Sequence, residues 1–448
     1  VPKPQEARVT PPPPVTTSIP IQLPQKPRPV DLSDEQGINW LVLERRGQRS
    51  RLPQLLFVGG RVRKRLDNKF ILACFDLSKN TVKAKWRINN IRLKGAGQEA
   101  GFYRAFLYND LVLVNGLYDV LAFEHQTGAL RWRFRVPFNF EIKHALMSGD
   151  ILALSGRNET AALHVNATSK AGEVIWQQGE MGDLYCDPYF VGDRFVTVRK
   201  NPYNVTVRYR ATGKLMGRLE LPDLSTHTAH PLLENGPAAL PIAHDGPKLA
   251  VTDGWYYLMV DTDRMAIDWK RRIDANDATR EPAMRFALKD DYLAVLKEDY
   301  DQKVIYMLSS KTGNVLWHTD PKDANSPQPI HSMYIEGERI YGIGVYAGQG
   351  FYFVRRECKT GALLCQTTVK GYAGKPAVSL VPWNYNGRAV VQVKDRQDFE
   401  LNVFDMKNGK RLHVLKEKGV GEFGRHGNVS AAIQSGRLVF MAKDKLNL

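Results

Sequence analysis

Between Asp76 and His413 the chain repeats one short phrase eight times: a strand, a Thr-Gly-like turn, then a strand whose register often places a Trp. The clearest copies read F-E-H-Q-T-G-A-L-R-W at residues 123–132 and L-S-S-K-T-G-N-V-L-W at residues 308–317. A unit that recurs at intervals of about 41–52 residues cannot bury both of its faces alone, so neighbouring copies must pack on one another. The repeat is therefore scaffold, and function has to be sought in what departs from it.

The turn positions fall at Asn80, Gly128, Gly172, Gly213, Met265, Gly313, Gly361 and Gly409. Four residues later stand Trp132, Trp176, Trp269 and Trp317, with Trp86 two residues late. These five indoles are expected to dock one blade onto another. Gly217, Cys365 and His413 replace Trp in the weaker copies. Four residues before the turn, Asp76, Glu124, Asp261 and Asp405 are acidic, and such a carboxylate can hold a turn through its backbone amides. Gly suits the left-handed position of a short hairpin loop.

Upstream of each turn lies a second hairpin, an apolar run broken by a Gly or Asp corner, as at residues 145–153, 189–198, 287–296 and 334–343. The period-2 patterning and β-branched content predict strands, and no segment carries a long helical period. Two hairpins per repeat make a four-stranded antiparallel blade. Eight blades make an all-β, eight-bladed propeller, in which radial repetition protects the strand edges. The hairpin at residues 431–442 has no second hairpin after it, and the one at residues 70–88 has no standard partner before it. Joining them predicts a clasp in which the C-terminal hairpin completes the N-terminal blade, so that loss of the last twenty or so residues destabilises the whole domain.

The phrase Asp-x-x-T-G-x-x-x-W, in eight copies, resembles the repeat of pyrroloquinoline-quinone-like β-propellers. That superfamily includes quinoprotein alcohol and glucose dehydrogenases and the non-catalytic periplasmic propeller of outer-membrane β-barrel assembly. The resemblance covers roughly residues 70–448 and implies the fold rather than a chemistry. In its dehydrogenases the quinone lies in the central funnel, stacked on an indole beside calcium, with a catalytic Asp and often a vicinal Cys-Cys pair. This chain has no adjacent cysteines, no C-x-x-C-H haem attachment and no long catalytic insertion. Trp255 and Trp383 lie outside the turn register and are the indoles that could stack on a ligand.

Ten of the 25 prolines lie in the first thirty residues, a composition that favours polyproline II or disorder over a core. Residues 1–35 are thus expected to be an extended arm, either a tether or a docking arm that orders along a partner. Residues 36–69 form a basic lead-in and residues 70–448 the propeller. The chain begins at Val rather than Met, which fits a processed or trimmed product. It holds no apolar run long enough for a membrane-spanning helix.

The formal net charge is +16. Its densest run contains Arg45, Arg46, Arg49, Arg51, Arg61, Arg63, Lys64 and Arg65 with no acid between them. Such a run suits an acidic protein or an anionic surface, or it is simply a solvated edge. No nucleic-acid module or interleaved stacking aromatics accompany it, so nucleic acid is not an expected partner.

Other motifs weaken on inspection. Residues 419–424 read G-V-G-E-F-G, but a dinucleotide fingerprint needs a strand before it and a helix after it, and a blade hairpin follows here. His227, His230 and His244 lie in the longest interval between turns without an identifiable carboxylate ligand, so no metal site is expected. No G-x-S-x-G occurs. Cys358 and Cys365 flank one turn and are either a disulfide or two buried thiols, while Cys74 and Cys186 fall in different blades and pack. The chain therefore reads as a non-catalytic binding or scaffolding propeller of the periplasm, cell envelope or secreted space. No catalytic residue, cofactor or metal is expected, and a protein partner is. The alternative is a small quinoprotein oxidoreductase using pyrroloquinoline quinone and calcium.

Overall fold

The computed structural model describes thirty-seven strands between Pro29 and Asn447 and the tight turns that join many of them. Residues 1–28, 32–38, 43–54, 62–68, 77–83, 93–103, 165–171, 222–241, 274–282, 320–329 and 418–430, with shorter loop stretches, lie outside the described residues. No helix occurs among the described ones.

Eight antiparallel sheets are each built from strands consecutive in the chain, and each holds one copy of the turn. We number them as blades 1 to 8, at residues 39–92, 104–135, 144–179, 183–220, 243–271, 283–318, 330–370 and 377–417. Seven are four-stranded, and blade 4 carries the short extra strand Asp183–Leu184. First strands touch first strands of the next blade, as Ala283–Lys289 does on Ile330–Glu336 and Ile330–Glu336 on Ala377–Tyr385. They crowd toward the axis, and the fourth strands form the rim. This is an eight-bladed β-propeller.

Burial follows from that radial order. Second and third strands are covered on both faces by neighbouring blades, so Leu111–Asn115 is buried throughout and Asp119–Glu124 almost so. They read in sequence as short continuous apolar runs. Fourth strands such as Leu130–Arg135 alternate between exposed and half-buried. Seven hydrophobic clusters fill the seven successive gaps from blades 1–2 to blades 7–8, each drawing on the two blades that flank it. With about 1.5–3 kcal/mol for each fully buried aliphatic or aromatic side chain, stability lies in the gaps rather than in the blades.

The clasp differs from the expected one. The hairpin at residues 70–88 already has its partner, because Asn39–Val42 and Leu55–Arg61 precede it in blade 1. Those two strands were missed because twelve residues, four of them Arg, separate them, where the other blades have a tight Gly or Asp corner. The C-terminal hairpin, Ala431–Gln434 with Arg437–Ala442, extends instead into Lys445–Asn447 and then Pro29–Asp31. A ninth sheet is thus assembled from both ends of the chain, with three strands from the C-terminal segment and the outermost from the N-terminal one. Both termini do meet, but at Pro29–Asp31.

Candidate interaction surface

Each blade carries a β-bulge at the same place in its fourth strand, one residue after the paired position that follows the turn. In blade 2 the register runs Phe123↔Leu130 and then Ala122↔Trp132, leaving Arg131 as the extra residue. The same slip recurs in all eight blades, and it always precedes the Trp, Gly, Cys or His position. A bulge re-aims the next side chain and bends the strand. Here it swings the five indoles and Cys365 onto the following blade. In blade 1, Trp86 pairs opposite Cys74 with Lys85 in the bulge, so its apparent lateness is a longer turn loop and not a displaced indole.

The target is the glycine of the next turn. A Cβ at Gly213 would stand 2.5 Å from Trp176, and one at Gly128, Gly313 or Gly361 would meet Trp86, Trp269 or Trp317 at 2.6–2.8 Å. Trp132 lies against Gly172 in the same way. Each of these glycines also has a left-handed φ of 68° to 80°, so two independent constraints exclude a side chain there. Four indole N–H groups donate to the carbonyl three residues before the glycine: Trp86 to His125, Trp176 to Arg210, Trp269 to Ser310 and Trp317 to Cys358, at 2.7–2.9 Å. The turn itself is closed by the glycine amide, as in Gly313 N–H to Ser309 O at 2.8 Å. Asp261 and Asp405 each accept two amides of the turn that follows them.

Two gaps depart from this lock. Between blades 4 and 5 the glycine and the large residue have changed places: Gly217 sits at the indole position, and the side chain of Met265, with φ of 51°, fills the space above it. Between blades 7 and 8, Cys365 stands at the indole position against Gly409, and Arg355 donates to Met406 O at 2.7 Å, the carbonyl an indole would otherwise reach.

Cys358 and Cys365 are free thiols. The bulge pairs Cys365 with Arg355 and puts Cys358 beyond the end of the ladder, so the two do not oppose each other. Burial pushes the Cys358 thiol up to about 12, which makes it an inert packing residue. Cys74 is buried in the gap between blades 1 and 2. His244 stacks on Tyr189 with ring centroids 3.8 Å apart. Arg61 lies in Leu55–Arg61, whereas Arg45, Arg46, Arg49, Arg51, Arg63, Lys64 and Arg65 lie outside the described residues. So do His227, His230, Cys186, Trp255 and the glycines of residues 419–424, and of Trp383 only the strand Ala377–Tyr385 is described. Among the described residues no three His, Cys, Asp or Glu side chains converge as a metal site would require.

What the repeat does not need lies on the rim. Two residues after each turn position, six consecutive blades expose an aliphatic side chain: Leu130, Val174, Leu215, Ile267, Val315 and Leu363. Blades 6 and 7 double it, because their bulged residues are Leu316 and Leu364, both 42% exposed. Elsewhere the bulged residue is charged, as at Lys85, Arg131 and Asp268, or partly covered, as at Ile175, Met216 and Leu412. The docked Trp317 touches Gly361, two residues before Leu363, and so links the two exposed pairs. Sequence reading missed this row because its positions look like ordinary strand residues. Their exposure follows only from knowing that the fourth strand is outermost. The signal was the aliphatic two residues past each turn, on a strand that otherwise alternates.

Residues 301–448, which span the last two strands of blade 6, blades 7 and 8 and the C-terminal strands, match a family model described as outer membrane protein assembly factor BamB. The repeat in that part of the chain is of the pyrroloquinoline-quinone-like propeller kind. No curated protein matches the sequence. Among solved structures, BamB from Moraxella catarrhalis is 13% identical, with 77% of this chain and 95% of that one covered and a TM-score of 0.47. Sqt1 of Saccharomyces cerevisiae is 11% identical, with coverage of 77% and 90% and a TM-score of 0.48. A europium-containing methanol dehydrogenase is 12% identical, with coverage of 88% and 80% and a TM-score of 0.46.

Proposed function

We propose, starting from the propeller repeat that residues 301–448 share with an outer membrane assembly factor, that this chain is a non-catalytic protein-binding scaffold of a cell-envelope complex. The observation that carries the reading is the doubled row of exposed aliphatics on blades 6 and 7, which lies inside the matched segment. Exposed apolar side chains that recur at one register, on a strand that needs no such residue for its own packing, mark a surface that another molecule covers. The aromatic residues of the repeat do not serve that role, because the gaps between blades consume them.

The partner is a protein, met at the rim, with the basic run from Arg45 to Arg65 and the Pro-rich arm as further contacts. The matched family's description supports an extracytoplasmic location.

The test is purification of the tagged full chain from the envelope fraction of its source, followed by cross-linking and identification of what is retained. A defined partner retained at near-equal amounts is the expected result. Reconstitution with pyrroloquinoline quinone and calcium is the counter-test. A new cofactor absorbance with turnover of an alcohol or sugar would sink the scaffold reading in favour of a quinoprotein oxidoreductase. Removal of residues 1–28, which stops short of the strand Pro29–Asp31, separates tether from docking arm. Loss of the partner supports docking, and retention leaves the arm a tether.

A further inference from the structure

The rim of a propeller is a set of open strand edges, and natural edges are blunted by charge, proline or short length. Most fourth strands here follow that rule. Leu130–Arg135 carries three arginines, Ala266–Arg271 has an Asp, a Lys and an Arg, Arg411–Glu417 is charged at both ends, and Val315–His318 is only four residues long. Leu363–Lys370 does not follow it. It runs eight residues, L-L-C-Q-T-T-V-K, with no charge before the last. Val174–Gly179 is also uncharged, but it is shorter, ends in Gly, and has Gln177 tied to Glu159.

The blade 7 strand has three properties of a template. It pairs with Gly350–Glu357 on one side, and its other side has no partner among the described residues. Its start exposes Leu363 and Leu364 together, 41% and 42% open. Lys359 precedes it, Lys370 ends it and Lys410 lies on the adjoining turn, all exposed and with no ion pair among the described residues.

We propose that the open edge of Leu363–Lys370 takes up an extended segment of a partner protein as an added β-strand, the segment alternating apolar with acidic residues. The proposal names the site and partner class of the scaffold reading and rests on it. Main-chain hydrogen bonds along the edge supply affinity without regard to sequence. The leucine pair selects apolar side chains at one end, and the unpaired lysines select acids around them. Charge also decides among occupants. A second copy would bring the same lysines against themselves. The first 28 residues of the chain, with Lys3, Arg8, Lys26 and Arg28 against the single Glu6, are basic as well.

The probe is a labelled synthetic peptide, matched in length to the strand, in which Val or Ile alternates with Glu or Asp. A twin peptide carries Lys at each acidic position. Both are titrated against the full chain at low salt by fluorescence anisotropy. The acidic peptide is expected to bind saturably and about tenfold or more tighter than its twin. Leu364→Glu and Lys370→Glu are each expected to weaken it about tenfold, and Leu130→Glu on blade 2 to leave it unchanged. Unaltered thermal melting of these surface variants keeps a folding defect out of the reading. Equal binding of the two peptides, no binding of either, or an equal effect of Leu130→Glu would overturn the proposal. Concentration-dependent dimerisation abolished by Leu364→Glu would give the edge to a second copy and overturn it too. Displacement of the acidic peptide by a free peptide of residues 1–28 would give the edge to the arm and overturn it equally. The two readings fail separately. A partner that still co-purifies with the Leu364→Glu chain sinks the edge and spares the scaffold, whereas quinone-dependent turnover sinks the scaffold itself.

Discussion

The gap between blades 6 and 7 and the gap between blades 4 and 5 do the same job with the parts reversed. In the first, Trp317 reaches forward from the fourth strand, covers Gly361 and donates to Cys358 O. In the second, the fourth strand offers Gly217, and Met265 reaches back from the following turn to fill the space. A Cβ at Gly217 would meet Met265 Cγ at 2.5 Å, as close as any glycine-to-indole approach in the ring. The shared requirement of these two gaps is one large and one absent side chain, whichever blade supplies which. The Trp lock adds a hydrogen bond that the Met lock lacks, and the gap between blades 7 and 8 recovers that bond through Arg355. Volume is obligatory, and the donor is an addition to it.

If volume dominates, emptying a Trp gap is the most damaging single change. Trp269 is 7% exposed and bonds Ser310 O at 2.7 Å. Trp269→Ala is expected to cost about 3–5 kcal/mol, read as a lowered urea midpoint. Trp269→Phe, which keeps most of the volume and drops the donor, is expected to cost about 1–2 kcal/mol. Equal losses in the two variants would show that the bond, not the filling, holds the gap. At the gap between blades 7 and 8 the donor is a buried guanidinium, and hydrogen bonds from charged groups are stronger. Arg355→Met is therefore expected to cost about 1.5–3 kcal/mol by the same measurement.

The reversed gap gives a sharper test, because it can be turned round. Gly217→Trp alone drives an indole into Met265 and is expected to cost about 1–3 kcal/mol as overpacking. Met265→Gly alone opens the gap, although it also relieves a left-handed φ at a non-glycine residue. Together they rebuild the Trp lock of the other gaps. The double variant is expected to recover at least about 1 kcal/mol over the sum of the two losses, a coupling read from a double-mutant cycle. Additive losses would mean that Gly217 and Met265 are two unrelated irregularities.

This pair also shows what sequence could and could not disclose. The ring was legible because eight turns in register, with Gly and Trp at a constant offset, report a geometry that repeats. Met265 and Gly217 each looked like a decayed copy, since a motif records one residue at a time and the gap constrains the two jointly. The bulge was invisible as well. Its extra residue is counted within the constant offset from turn to Trp, so no spacing betrays it. The first two strands of blade 1 escaped because their connection lacks corner chemistry. Hairpins read from sequence are read mostly from their corners. The rim row was present as letters, but exposure is a property of which strand ends up outermost. No local pattern states that.

The gap between blades 5 and 6 adds one more tie to its Trp lock, and the smallest effect is expected there. The first-hairpin corner that is Gly149, Gly192, Gly246, Gly337 and Gly387 in other blades is Asp290 in blade 6, with φ of 49°. Asp245, from blade 5, accepts the Asp290 amide and the Lys289 ammonium, both at 2.7 Å. Partial burial works against ionisation of Asp245. The Lys289 and Asp290 bonds more than offset it, so its carboxyl is held below the usual carboxylate range. A depressed folded-state pKa contributes stability that is present above the unfolded value, near pH 4, and is lost as pH falls through the folded value. Asp245→Asn should therefore cost about 0.5 kcal/mol at neutral pH, since the pair is partly exposed and screened by solvent. The two proteins should converge in stability as the medium is acidified from about pH 4 down through the depressed folded-state value, where the native carboxyl is itself neutralised. A constant difference between them from pH 7 to pH 3 would remove the charge from the tie and leave only the shape of the corner. That outcome would bring this gap back to the rule of its neighbours, in which volume alone is obligatory.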